Sequence, residues 1–94
     1  MTIKHFDNGK DGVFFIEKDG NREAEMTYVY KNGHTIDIDH TEVKESLQGQ
    51  GVGKKLFEEV VRFLRQKNFK AIATCSYAKS IFEKNPEEYQ DIMS

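Results

Sequence analysis

Apolar and polar residues alternate along "EAEMTYVYKNGHTIDIDHTEV". Met26, Tyr28 and Tyr30 interleave with Glu25, Thr27 and Val29, the period of two that turns one side of a strand to a core. Asn32-Gly33 predicts a tight hairpin turn. After it, Ile36 and Ile38 predict a buried face, and Asp37 and Asp39 a wet one. Upstream, "GVFFIEKDG" predicts a short strand from Val13 to Glu17 that closes on a turn at Asp19-Gly20. The period then changes. Val52, Leu56, Val60 and Leu64 recur every fourth residue, Phe57 and Val61 widen the stripe, and an amphipathic helix follows from Val52 to Lys67. Arg65 and Lys67 complement the negative end of its dipole, and Asn68 fits a C-cap. "FKAIATCSY" predicts a strand from Lys70 to Thr74 and then a short helix, Ala78 to Lys84. Asn85-Pro86 breaks that helix, with Pro86 placed to open another turn. The order predicts a compact α+β fold: a mostly antiparallel twisted sheet with one βαβ-like unit and short C-terminal helices.

No Pro-, Ser- or Gly-rich stretch divides the 94 residues, which predicts a single domain over 1–94. A net charge of −2 gives no basic field for nucleic acid. Apolar runs are short, so no bilayer span is expected. "MTIKHFDNGK" lacks the apolar segment of a secretory signal, and a cytoplasmic location follows as an expectation. Cys75 is the lone cysteine and has no internal disulfide partner. Metal-ligand spacing is absent, and His5 and His34 are expected at the surface.

The chemistry concentrates in "QGQGVGKK", residues 48–55, between a strand ending near Val43 and the long helix. Glycines there let the backbone approach a ligand, and the helix start offers unpaired N–H groups and a partial positive charge, which suit phosphate. Lys54 and Lys55 in the first turn oppose the helix dipole, a conflict that a bound anion would relieve. A plain turn with solvated lysines is the other reading. A Walker loop would need glycine at position 48 and Ser or Thr at 55, where Gln48 and Lys55 stand. The dinucleotide fingerprint fails on the spacing of its third glycine.

"QGQGVG" resembles the acetyl-coenzyme A loop of the GNAT superfamily of N-acetyltransferases, Q/R-x-x-G-x-G/A, through Gln48, Gly51 and Gly53. "HTEV" before it, "TCSY" in the following strand and the closing "NPEEY" extend the resemblance over nearly the whole chain, to a short single-domain GNAT-like branch. The resemblance implies that the strands ending near Val43 and Thr74 splay apart to admit the pantetheine arm. Backbone groups of Thr41, Glu42 and Val43 would bond to it as an added strand would. Backbone N–H groups from Gln48 through Gly49, Gln50, Gly51, Val52, Gly53 and Lys54 would hold the pyrophosphate, with Lys54 or Lys55 reaching a phosphate. Asn85 would contact the cofactor, or serve as a plain C-cap.

Tyr77 stands where many relatives place a tyrosine near the thioester sulfur, and otherwise reads as a core tyrosine. His40 and Cys75 lie near the ends of the two splayed strands. His40 suits a general base, and Cys75 a transient acyl acceptor for which His40 would be the base. Their plainer readings are a hydrogen-bonded strand-end histidine and a small buried thiol. Asp37 and Asp39 have a second reading too, lining the acceptor side and attracting an amine. The implied activity is transfer of an acetyl group from acetyl-CoA to an amine on a protein or small polyamine, without a metal, by a monomer or weak homodimer. The alternative is a non-catalytic CoA or acetyl-CoA sensor or adaptor. The chain departs from longer relatives in lacking N-terminal helices, which leaves an open acceptor side.

Overall fold

A computed structural model describes residues 2–94. Four strands come first: β1 (Lys4–Asp7), β2 (Asp11–Lys18), β3 (Asn21–Tyr30) and β4 (Thr35–Val43). A 3₁₀ turn at Glu45–Leu47 leads to α1 (Val52–Lys67), β5 (Lys70–Ala73), α2 (Ser76–Lys84) and α3 (Pro86–Tyr89). The five strands lie in one sheet in chain order. Neighbours are antiparallel from β1 to β4, and β4 pairs with β5 in parallel across the α1 crossover. The architecture is the expected α+β with one βαβ unit.

The helix stripe read from spacing is the buried one. Leu56, Phe57, Val60 and Leu64 are fully buried against Met26, Tyr28, Ile36 and Ile38 of the sheet. Each such side chain contributes roughly 1.5–3 kcal/mol of burial. Asn68 caps α1 in the left-handed region at φ 58°, its N–H directed at the Leu64 and Arg65 carbonyls. Phe82 of α2 and Tyr89 of α3 meet the Phe57 ring edge-on at 5.2 and 5.3 Å, so the three helices share one core. At the β5 edge, Ala71 donates to Ile92 and accepts from Ser94, which covers that side of the sheet. No helix among the described residues is long and apolar enough to cross a membrane.

Three features depart from the expectations, and a fourth, at His5, adds to one. β1 was not anticipated: "KHFD" carries two charges, and Phe6 is 61% exposed, so no apolar alternation marks it. His5 stands at the surface as expected but is not idle. Its ring stacks on Phe14 at 3.8 Å, and Nε2 lies 2.6 Å from the Tyr28 hydroxyl. Asn32-Gly33 lies within a four-residue connection, 31–34, rather than a two-residue turn. There the Asn32 side-chain oxygen accepts from the His34 N–H, a local turn that needs no left-handed glycine. Asp37, expected on a wet face, is 7% exposed, because the chain leaving β5 folds over it.

The register of β3 and β4 slips between Thr27 and Tyr28. Tyr28 faces Ile38 and Thr27 faces His40, so Asp39 is the extra residue of a β-bulge. The bulge reverses the parity of β4. Ile36 and Ile38 face the helices before it, and Thr41 and Val43 do so after it, opposite Met26 and Ala24. His40 and Glu42 turn to the other face of the sheet, opposite Thr27 and Glu25.

Candidate functional site

β4 and β5 pair only from Thr35 and Lys70 to Ile38 and Ala73. The Ile38 carbonyl then accepts from both Thr74 and Cys75 N–H, at 3.1 and 3.0 Å. Beyond this point the strands part. β4 runs on to Val43 with β3 as its partner, while the other chain turns into α2. Asp37 holds the parting: its carboxylate accepts from the Thr74 N–H at 3.0 Å and the Thr74 hydroxyl at 3.1 Å. The wedge expected between the strand ends near Val43 and Thr74 is therefore present. The β5-facing edge of Thr41, Glu42 and Val43 borders it.

The loop at the wide end is built from glycine geometry. Gly49 and Gly51 have φ of 80° and 70°, and a Cβ on either would meet nothing within 4 Å. Their need for glycine is conformational, and they leave open space above the backbone. Gly51 is the N-cap of α1 and supplies no capping side chain, so the N–H groups of the first turn point outward uncapped. Two amides lace the loop to its surroundings. Gln48 Nε2 donates to the Val43 carbonyl at 3.1 Å, and Gln50 Nε2 donates to the Ser46 carbonyl at 3.3 Å.

Gly53 has a different reason. A Cβ there would come within 2.8 Å of the Tyr77 hydroxyl and 2.9 Å of Cζ. The Tyr77 ring thus lies over the first turn of α1, with 39% of the residue exposed. Burial raises the Tyr77 pKa, and the nearby Lys54 charge works against that rise. Lys54 reaches α3, with Nζ 3.4 Å from the Tyr89 hydroxyl. Lys55 remains exposed.

Cys75, half-buried at the N-terminus of α2, lies with its Sγ 3.2 Å from the Thr41 hydroxyl, across the wedge. His40 is elsewhere. It leaves β4 on the opposite face from Thr41, half-exposed, with Nε2 3.5 Å from Glu25. The structure therefore joins Cys75 to Thr41 and does not bring His40 to Cys75. Asn85 has the geometry of the plainer reading, with its N–H and Nδ2 both directed at the Ile81 carbonyl. The side-chain roles of Thr41, Asp37 and Tyr89 were not visible in the sequence, because each depends on a partner at least 34 residues away. Among the described residues no cluster of His, Cys, Asp or Glu could hold a metal.

Uncapped N–H groups, open glycines and an adjoining free strand edge fit a diphosphate joined to an amide-bearing arm. Comparison with known proteins bears on the family and the fold. Residues 13–92 match the sequence profile of the GCN5-related N-acetyl-transferases. Protein NATD1 of Danio rerio is 32% identical over 87 residues, 92% of this chain and 77% of that protein. Its Xenopus tropicalis counterpart is 33% identical over a stretch that is 58% of its own length, so the chain spans little more than half of that relative. A solution structure of a GCN5-like protein from Staphylococcus aureus superimposes with a TM-score of 0.76 at 42% identity, covering 99% of this chain and 87% of that one. A GNAT family acetyltransferase from Elizabethkingia anophelis, solved with acetyl-CoA bound, shares the fold at a TM-score of 0.62 and 16% identity, over 82% of this chain and 53% of its own.

Proposed function

The chain belongs to the GCN5-related N-acetyltransferase family, and on that premise we propose that it binds acetyl-CoA and acetylates an amine. The observation that carries the reading is the wedge between β4 and β5, opening onto the uncapped first turn of α1. Backbone N–H groups from Gln48 to Lys54 hold the pyrophosphate, with the glycines keeping the approach clear. The edge of Thr41, Glu42 and Val43, which β5 does not reach and where Gln48 already donates to the Val43 carbonyl, pairs with the pantetheine amides. Bound acetyl-CoA supplies an activated acetyl thioester, and a backbone N–H near Val43 is placed to polarise its carbonyl.

Two side chains then divide the proton chemistry, and a third lines the wedge. Tyr77, whose ring lies over Gly53 at the helix start, protonates the leaving thiolate in this reading. His40, beside Glu25 on the open face of the sheet, takes a proton from an incoming amine rather than from Cys75. Cys75, with its thiol against the Thr41 hydroxyl, lines the wedge, and among the described residues no hydrogen bond joins it to a histidine, which favours direct attack by the amine over an acyl-enzyme.

Calorimetric titration of coenzyme A tests the binding step. Saturable binding that Gly51→Val weakens at least tenfold is expected, since a branched side chain in the left-handed region both strains the loop and fills the open space. Release of free thiol from acetyl-CoA with an amine panel tests turnover. Turnover retained in Cys75→Ala, with no acetyl adduct on Cys75 by intact mass, is the outcome for direct transfer. Binding without turnover on any amine would instead make the chain a CoA sensor or adaptor.

A further inference from the structure

The face of the sheet away from the helices holds a groove of about 340 Å³, lined among others by Phe6, Asp11, Val13, Arg22, Val29 and Asp39. Resting on the transferase reading, we propose that this groove seats the acceptor: an alkyl chain lies along Phe6, Val13 and Val29, and the Asp39 carboxylate anchors its primary ammonium group.

The two aspartates of β4 separate here. Asp37 is buried and spent on Thr74. Asp39 is the exposed extra residue of the bulge, and that irregularity turns its carboxylate into the groove. One oxygen accepts from the Thr27 hydroxyl at 2.6 Å, which fixes its direction. Among the described residues no Lys, Arg or His nitrogen lies within 4.0 Å of it. Two neighbouring carboxylates are engaged, Glu25 with Arg22 and His40, and Glu17 with Lys4, while Asp11, which also lines the groove, has no ion pair among the described residues. Arg22 is drawn over the Phe15 ring, 4.3 Å from its centroid.

A trough with apolar walls and two carboxylates that no cation neutralises, Asp39 held in direction by Thr27 and Asp11 beyond it, matches an aliphatic amine, whose stem lies on apolar surface while its charged head is paired. Phe6 is 61% exposed, stands opposite Val13 in the β1–β2 register, and forms one wall. Position supports the same assignment. Asp39 follows Ile38, the last residue before the wedge opens, and precedes His40 on the groove's face of the sheet. An ammonium held there stands between the wedge mouth and the imidazole assigned to take its proton.

Two probes distinguish a free polyamine from a lysine side chain: 1,5-diaminopentane and Nα-acetyl-lysine methylamide. Each is titrated into the isotope-labelled full chain by NMR, with and without coenzyme A. Saturable shifts at Phe6, Thr27 and Asp39 are expected, weakened at least tenfold by Asp39→Asn and several-fold by Phe6→Ala. Coenzyme A affinity should be unchanged in both variants. Preference for the diamine would identify a polyamine-like acceptor, and preference for the lysine derivative a protein. Absence of shifts with either probe in both states, or affinity unaltered by Asp39→Asn, overturns the proposal. Amine binding at Asp39 in a protein that does not bind coenzyme A would leave the groove standing and remove the transferase reading instead.

Discussion

Gly53 and Gly51 stand two residues apart in one motif and answer to different forces. Gly51 needs glycine for its backbone, since φ of 70° costs a side-chain-bearing residue about 1–2 kcal/mol. Gly51→Ala should therefore lower urea-unfolding stability by about 1 kcal/mol. Gly53 sits in regular helix, where alanine would gain about 1 kcal/mol in propensity. Against that gain stands the Tyr77 hydroxyl, 2.8 Å from an added Cβ. That hydroxyl is the exposed tip of a movable side chain, so the ring yields and the two effects nearly cancel. Gly53→Ala is expected to keep the melting temperature within a few degrees while shifting the Tyr77 ring resonances and slowing any acetyl transfer. An unchanged Tyr77 environment would refute the seating of the ring on this glycine. The sequence marks Gly51 and Gly53 equally, because spacing records a shared motif. The reason for Gly53 lies on α2, beyond any local pattern.

The sheet contains a second close approach of glycine and tyrosine, with the opposite consequence. Asp7, Gly12 and Tyr28 stand in register on β1, β2 and β3. The Tyr28 ring crosses over Gly12, inside van der Waals distance of where a Cβ would be, and its hydroxyl donates to Asp7 at 2.6 Å. This ring is fully buried and cannot yield. Gly12→Ala forces overpacking of about 1–3 kcal/mol and pulls the hydroxyl from its acceptor. A loss of about 3 kcal/mol in urea unfolding is the expected result, and a loss below 1 kcal/mol would contradict the geometry. Elements with a strong period were legible: α1 begins and ends where its apolar stripe and Asn68 place it. β1 was not, because an edge strand half in water has no alternation to display. The bulge at Asp39 was not either, since one inserted residue leaves the composition of the strand untouched. That single residue sends His40 and Thr41 to faces other than strict alternation from Ile38 implies, and so separates the histidine from Cys75.

At the scale of the molecule, the N-terminal edge is held by a polar knot within an otherwise apolar fold, and its charges make stability depend on pH. Burial disfavours ionisation of Asp7, but hydrogen bonds from Tyr28, Tyr30 and the Gly9 N–H, with the nearby His5, outweigh it and hold the carboxyl below its ordinary 3.8. Burial lowers the His5 pKa below 6.5, partly opposed by the Asp7 charge. Burial and the hydrogen bond to Asp7 push Tyr30 up to about 12, and Tyr28 rises for the same reasons. Both depressed groups hold fewer protons folded than unfolded at acid pH, so stability falls as pH drops: first below 6.5 through His5, then below 3.8 through Asp7. The two tyrosines keep their protons longer folded than unfolded, so stability falls again as pH rises above 10. A plateau between 6.5 and 10 is expected from this cluster. Asp7→Asn should cost about 1.5–3 kcal/mol on the plateau, the range for hydrogen bonds to a charged group. It should also flatten the decline below 3.8 and make the alkaline decline shallower, with the burial of Tyr28 sustaining the remainder. Urea midpoints at several pH values for both proteins decide the matter. Parallel curves would mean that both declines are governed elsewhere, the acid one by groups such as Asp91, whose carboxyl the Arg65 guanidinium holds low.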